Sequence, residues 1–211
     1  FDIDSELTLQ YYHQDHRVRS DWMINWADGS RIPSDIDMDS RRDDLELQFN
    51  NRLSRDWHML LGAGVRHDYL HSQRYFSQSP TQRATSWQTF GSLTWQPVDW
   101  LRVNAGGTFE HHDYSGKLFS PRLALNFAPT PDSAIRLSTG KSYRAPTMME
   151  SRSSEALRDD DNTVRLGYWA SLPIKPEEVR YTELGYVALL NQYGLSLDTR
   201  IFHERYRRYI D

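Results

Sequence analysis

The stretch "RLALNFAPTPDSAIRLSTGKSYRAPT", residues 122–147, contains two runs in which apolar and polar side chains alternate. The apolar residues of the first run are Leu123, Leu125 and Phe127. Residues two apart share one face of a β-strand, so each run predicts a strand with one apolar and one polar face. Two prolines and an aspartate separate the runs, a composition that ends a strand and turns the chain. The stretch therefore predicts a hairpin whose two faces meet different surroundings.

The same period of two recurs along the chain and predicts nine strands. They lie near residues 3–12, 44–53, 57–69, 85–96, 100–110, 119–127, 134–144, 178–190 and 195–206. The alternation is clearest in "LRVNAGGTFE", residues 101–110, where an extended chain from Leu101 to Phe109 covers about 26 Å. A tilted strand of that length matches the apolar band of an outer-membrane barrel.

The connections between these strands alternate in length. Short turns are expected at residues 54–56, 96–99, 128–133 and 191–194. Long polar loops are expected at 13–43, 70–84 and 145–177, with a medium one at 111–118. An antiparallel up-and-down meander with this alternation has its tight turns at one end and its long loops at the other, as transmembrane barrels do. The pattern predicts an all-β transmembrane barrel segment with short periplasmic turns and long extracellular loops.

Aromatic residues gather at both ends of the predicted strands. Those beside short turns are Trp57, Trp95, Trp100, Phe127 and Tyr193. Those near long loops are Tyr11, Tyr69, Trp87, Phe109, Phe119, Tyr143 and Tyr181. Two such girdles are typical of a barrel that crosses both interfaces of a membrane.

Composition limits the alternatives. Of 211 residues, 38% are hydrophobic, and no apolar run reaches the roughly 18 residues of a membrane helix. The formal net charge of −4 gives no support to a nucleic-acid partner, and the lack of cysteine excludes a thiolate metal site. Alternating strands also describe a soluble, lipocalin-like ligand-binding barrel with its apolar face inward. That alternative stays open here, although it does not explain the asymmetry of the loops.

Three stretches resemble the barrel of TonB-dependent outer-membrane receptors. They are "FSPRLALNFAPTPDSAIRLSTGKSYRAPTMME", "LPIKPEEVRYTELGY" and "LSLDTRIFHERYRRYID". Their order along residues 119–211 is similar to that of the family, and the likeness extends back to about residue 57. The resemblance implies location in the bacterial outer membrane, contact with its lipid, and import of a small-molecule ligand with energy from the TonB protein.

The same resemblance implies a 22-stranded barrel with a plugged lumen. Residues 1–211 are then expected to be part of the barrel domain, without the plug domain, the region that contacts TonB, and the final strands. Members of the family that bind haem carry the sequence motifs Phe-Arg-Ala-Pro and Asn-Pro-Asn-Leu. In this chain the first motif reads YRAP (Tyr143–Pro146), and SLPIKPE (Ser171–Glu177) replaces the second. The expected ligand is therefore a metal chelate such as a ferric siderophore, or vitamin B12. A passive porin or an adhesin-type barrel is the alternative function.

Polar strand residues are the candidate ligand contacts. Arg66, Arg102, Glu110 and Arg122 lie on predicted lumen-facing positions. Tyr143 and Arg144, at the base of a long loop, are the stronger candidates. An unpaired buried charge is costly, so we expect these groups to pair with one another or with the plug.

Other polar groupings carry weaker hypotheses. His111, His112 and Asp113 could bind a metal or act as acid and base, but neighbouring residues of a strand point to opposite faces. Two aspartate groups could order a loop with Ca²⁺: Asp35, Asp37 and Asp39, and Asp159, Asp160 and Asp161. No phosphate-binding loop, nucleophile elbow or zinc-protease helix motif is present. We expect no enzyme, no cofactor and no protein metal site.

Overall fold

A computed structural model describes residues 5–34, 36–159, 161–170 and 174–210. The elements in chain order are β1 (Ser5–Val18), β2 (Met23–Asn25), β3 (Arg31–Pro33), β4 (Met38–Arg52), β5 (Trp57–His71), β6 (Thr81–Val98), β7 (Leu101–His112), β8 (Gly116–Thr130), β9 (Ser133–Arg144), α1 (Met148–Arg152), β10 (Ser154–Arg158), β11 (Val164–Trp169), β12 (Glu177–Leu190), a 3-10 turn (Asn191–Tyr193) and β13 (Leu195–Arg207).

Within these described ranges, nine strands form one antiparallel sheet in the order β1-β4-β5-β6-β7-β8-β9-β12-β13. We call it the main sheet. Each strand pairs with the next long strand along the chain, so the predicted up-and-down meander is confirmed. The pairs β2–β3 and β10–β11 are separate hairpins inside the long connections.

The strands run further toward the long loops than the sequence predicts. β4 starts at Met38 rather than near residue 44, and β6 starts at Thr81 rather than near 85. The medium loop expected at 111–118 is a turn of residues 113–115, so His111 and His112 belong to β7. Strand pairing continues past the apolar residues because the backbone ladder does not depend on side-chain polarity. A hydropathy pattern therefore ends before the strand does.

Two prolines sit at irregularities near the short turns. The β6–β7 ladder shifts register between Trp95 and Val98, around Pro97, and the β8–β9 ladder between Phe127 and Thr130, around Pro129. Proline has no amide hydrogen for the ladder and is tolerated at such bulges.

The two faces of the main sheet differ in polarity. The outer face carries exposed apolar side chains, for example Leu9, Leu123, Leu137, Leu184 and Ile201. The inner face carries the polar partners, and residues 145–149 cover part of it. A soluble barrel would turn its apolar face inward, and the exposure of these apolar side chains does not match that arrangement. Tyr181, assigned above to an aromatic girdle, faces inward, where a side chain at Gly140 would collide with its ring.

Among the described residues, the largest fully buried apolar side chains lie in the loops rather than in the main sheet. Ile32 of β3 and Phe76, between β5 and β6, are 0% exposed, and Leu157 of β10 and Met148 of α1 are also buried. None of the helices in the described ranges is long and apolar enough to cross a membrane.

Candidate functional site

Three long connections meet at one end of the main sheet. We call them loop A (residues 19–37, with β2 and β3), loop B (72–80) and loop C (145–176, with α1, β10 and β11). Folded loops of this size usually carry function rather than merely connect strands. Their contacts with one another define the site.

Loop B is anchored between the other two loops. The Ser72 hydroxyl donates to the carbonyl of Asp37 in loop A at 2.7 Å. The backbone amide of Ser154 in loop C donates to the carbonyl of Tyr75 at 2.8 Å, beside the buried Phe76. Arg74 adds an ion pair with Glu155, with 3.2 Å between Nε and Oε1. Loop B is thus held by both neighbours.

Arg165 of β11 joins loop C to loop A. Its Nε donates to Asp159 at 2.7 Å, and its Nη1 lies 3.1 Å from a carboxylate oxygen of Asp28. The hydrogen bond from Arg165 holds the pKa of Asp159 below its usual value, and the bond to Asp159 raises the pKa of Arg165. Hydrogen bonds from Ser30 lower the pKa of Asp28. All three groups are charged at neutral pH and stabilise the loop contact.

The sequence "RAPT", residues 144–147, fixes the start of loop C. Thr147 caps α1, with its hydroxyl accepting from the Glu150 amide, and the Glu150 carboxylate accepts from the Thr147 amide. Arg144 donates to Glu150 at 3.0 and 3.1 Å and to Glu177 at 2.8 and 3.2 Å. Arg144 therefore joins the end of β9, the start of β12 and α1.

A cavity of about 500 Å³ lies between the inner face and the start of loop C. Its strand wall includes Arg42, Arg66, Asp68 and His112, and its loop wall is residues 145–149. A volume of this size suits a small-molecule site. The ion pairs Arg42–Asp68 at 2.6 Å and Arg66–Asp44 at 2.7 Å hold the charged side chains along the wall.

Both apolar and polar groups surround the same cavity. Met148 and Met149 of α1 supply an adaptable apolar lining, and the Tyr114 ring lies 6.1 Å from that of His112. Burial raises the pKa of the Tyr114 hydroxyl, so it stays a neutral hydrogen-bonding group. Such a lining can hold a bulky ligand that has aromatic surface and charge.

The sequence-predicted ligand residues do not form one cluster. Arg66 and Glu110 line an adjoining cavity of about 120 Å³ on the inner face. Arg102 lies near the short-turn end, where Nε and Nη2 donate to Gln96 at 3.1 and 2.8 Å, beside a cavity of about 590 Å³. Arg122 faces inward from the middle of β8.

The two stronger candidates point away from each other. Arg144 faces inward, and its guanidinium is occupied by Glu150 and Glu177. Tyr143 lies on the outer face with Thr139 and Leu137, and Lys141 Nζ is 5.0 Å from its ring centroid. A ligand role for Tyr143, Arg144 and the other four residues stays a prediction.

No group of three or more His, Asp or Glu residues suited to a metal ion occurs among the described residues. Of the aspartates suggested for Ca²⁺, Asp35 and Asp160 lie outside that part of the chain. Arg19 forms ion pairs with Asp37 and Asp39, and Arg165 forms one with Asp159.

Several residues were not identified from the sequence as part of the cavity lining. Arg42, Asp68 and His112 share the inner face with Arg66, but predicted strand ends left Arg42 and His112 in loops. If the alternation of inward and outward residues is continued from Asp44 to Arg42, Arg42 falls on the inner face, where it can pair with Asp68. Met148 and Met149 carry no such signal, because their position depends on how loop C folds.

A family model described as "TonB dependent receptor-like, beta-barrel" matches residues 1–211. The chain belongs to the TonB-dependent receptors. The resemblance and the all-β barrel fold predicted from the sequence are confirmed. Members of this family are outer-membrane transporters rather than enzymes.

Solved receptors share the fold. The ferric enterobactin receptor PfeA from Pseudomonas aeruginosa matches with a TM-score of 0.75 at 16% identity, over 98% of this chain and 33% of that one. The siderophore receptor PirA from Acinetobacter baumannii gives a TM-score of 0.73 at 15% identity, over 98% of this chain and 33% of that one. The chain thus spans about a third of the length of these receptors. Among curated protein sequences, none matches.

Proposed function

We propose that this chain forms part of the wall of an outer-membrane receptor that imports a scarce ligand with energy from the TonB system. The cavity under loop C carries the proposal. It opens on the polar inner face, at the end where the three long loops meet, while the apolar outer face suits lipid. In this proposal the long loops are extracellular and the short turns are periplasmic.

The lining of the cavity supports a charged, bulky ligand such as a ferric siderophore or vitamin B12. The guanidinium groups of Arg42 and Arg66 can exchange their carboxylate partners for anionic ligand groups at little cost, because the cavity remains open to water. The methionines can adapt to an irregular ligand surface. PfeA is named as a ferric enterobactin receptor and PirA as a siderophore receptor, which agrees with this ligand class.

Transport in this proposal needs no chemical step by the protein. A ligand binds among the loops, the TonB protein displaces a plug inside the barrel, and the ligand passes along the polar inner face. Inward-facing residues such as Arg66, Arg122 and Arg102 are spaced along that face and offer successive charged contacts. The chain is accordingly not an enzyme, and its partners are lipid, TonB and the ligand.

Binding and conductance together test this function. The purified full-length receptor should bind ferric enterobactin, another ferric siderophore or vitamin B12, and should show little steady conductance in planar bilayers because a plug closes its lumen. A large steady conductance without binding of any of these ligands would favour a passive porin. An adhesin would be favoured if the protein shows no steady conductance, binds none of these ligands, and attaches to cells or surfaces.

A further inference from the structure

Three basic side chains lie side by side on the outer face of β9, β12 and β13. Arg180 is directly opposite Lys141 in one neighbouring strand and Arg205 in the other. Directly opposed side chains have Cβ atoms about 5 Å apart, and like charges in such positions destabilise a sheet. The arrangement becomes favourable when an anion lies against it.

The described residues around this row supply little negative charge. Arg207 follows on the same face of β13, opposite Glu178, the one carboxylate in the group. Glu178 accepts from Arg180 at 2.8 Å, and 5% of its side chain is exposed against 55% of that of Arg180. We call Lys141, Arg180, Arg205 and Arg207 the basic cluster. Its four cations outnumber the single carboxylate, so it presents net positive charge outward.

The basic cluster lies just beyond the apolar band on the long-loop side. A row of apolar side chains on the outer face is formed by Leu137, Leu184 and Ile201. Each lies four residues along its strand from Lys141, Arg180 or Arg205, which is about 13 Å in an extended strand. From that row to the short turns, the described outer-face residues of these three strands carry no charge. The positive charge is thus confined to one side of the band.

We propose that the basic cluster binds the phosphate of an anionic lipid in the outer leaflet. A lipid matches both parts of this surface, because its phosphate meets the cations while its acyl chains lie on the adjoining apolar row. A soluble acidic protein would match the cations alone. Among the described residues, Arg180 is the member of the basic cluster that forms an ion pair. Lys141 Nζ lies 5.0 Å from the centre of the Tyr143 ring, and Arg205 and Arg207 form no ion pair with a described residue, so these three cations can meet the phosphate. The inference rests on the proposed outer-membrane location.

The test uses the full-length receptor in detergent and the variant Lys141→Gln/Arg205→Gln. This pair leaves Arg180 in place, so Glu178 keeps its partner and the variant should fold. Arg52→Gln/Arg55→Gln, at a short turn, removes the same charge at the opposite end and is the control. The probe is lipid A, with and without its phosphates, and native mass spectrometry measures how much lipid each protein retains.

We expect the cluster variant to bind phosphorylated lipid A about thirtyfold more weakly than the unmodified receptor, since each basic residue near a lipid surface contributes a factor of about five. The control should bind as the unmodified receptor does, and lipid A without phosphate should bind weakly to all three. Equal affinity of all three proteins for phosphorylated lipid A, or no preference for phosphate, would overturn the inference. Insertion into bilayers is measured separately, because a receptor that does not insert contradicts the proposed location itself.

Discussion

Arg144 and Glu177 join the end of β9 to the start of β12 through two hydrogen bonds of 2.8 and 3.2 Å. Loop C occupies all the chain between these residues, so the pair closes the base of the loop. A second carboxylate, Glu150, binds the same guanidinium from α1. The loop wall of the cavity therefore depends on a side chain that sequence motifs alone would assign to ligand contact.

Replacing Arg144 should loosen loop C more than the strands. Arg144→Gln removes both ion pairs, and we expect protease cleavage within loop C to become about five- to tenfold faster, since local opening sets the rate of such cleavage. Arg136→Gln, on the inner face of the same strand, is the control and should change nothing. Unchanged cleavage of Arg144→Gln would show that the ion pairs do not order the loop.

Two glycines of β5 should respond differently to alanine. A Cβ at Gly62 would collide with the Phe90 ring, whereas a Cβ at Gly64 would meet Gln88 Cγ at an ordinary 3.4 Å. Gly62→Ala should lower the stability by about 1–3 kcal/mol through overpacking, and Gly64→Ala should have little effect. Unfolding of the full-length receptor in detergent measures both.

A second substitution separates this collision from other effects of glycine. Adding Phe90→Leu to Gly62→Ala removes the ring that the new methyl group meets, so part of the lost stability should return. If Gly62→Ala and Gly64→Ala are equally destabilising, the Phe90 contact is not the cause.

The contact between loops A and C should depend on pH. The pKa of Asp159 and of Asp28 is lowered in the folded protein, so each contributes stability that is present above the ordinary aspartate value and lost as the pH falls through the lowered one. Protection of β10 and β11 from hydrogen exchange should therefore persist at neutral pH and decline below about pH 4. Arg165→Gln should reduce this protection at neutral pH and flatten its pH dependence. Equal pH profiles for the two proteins would contradict this role of Arg165.

Two arginines should differ in ligand affinity. Arg66→Gln should raise the Kd for the imported ligand about tenfold, because Arg66 lines the cavity under loop C. Arg102→Gln makes the same charge change near the short turns and should leave the Kd unchanged. Titration of the full-length receptor measures both. A larger effect of Arg102→Gln would place the binding site at the other end of the barrel.

The sequence predicts the main sheet well because the outer face repeats apolar residues at every second position. Strand ends near the loops are less predictable, since Asp39, Arg41 and Asp43 continue the ladder without any apolar signal. The cavity is less predictable still. The inward position of Arg66 can be predicted from the alternation of apolar and polar residues. Its neighbours in the cavity, Met148 and Pro146, come from loop C, and the fold of that loop depends on contacts such as that of Phe76 with Ser154, about 80 residues apart.

Energised uptake tests the central claim most directly. Cells that produce the full-length receptor are given radiolabelled ferric enterobactin, another ferric siderophore or vitamin B12, with and without a protonophore that collapses the proton-motive force. The proposed function predicts that one of these ligands accumulates in the cells and that the protonophore or loss of TonB stops the accumulation while surface binding persists. Uptake that continues at the same rate without the proton-motive force, or without TonB, would contradict it.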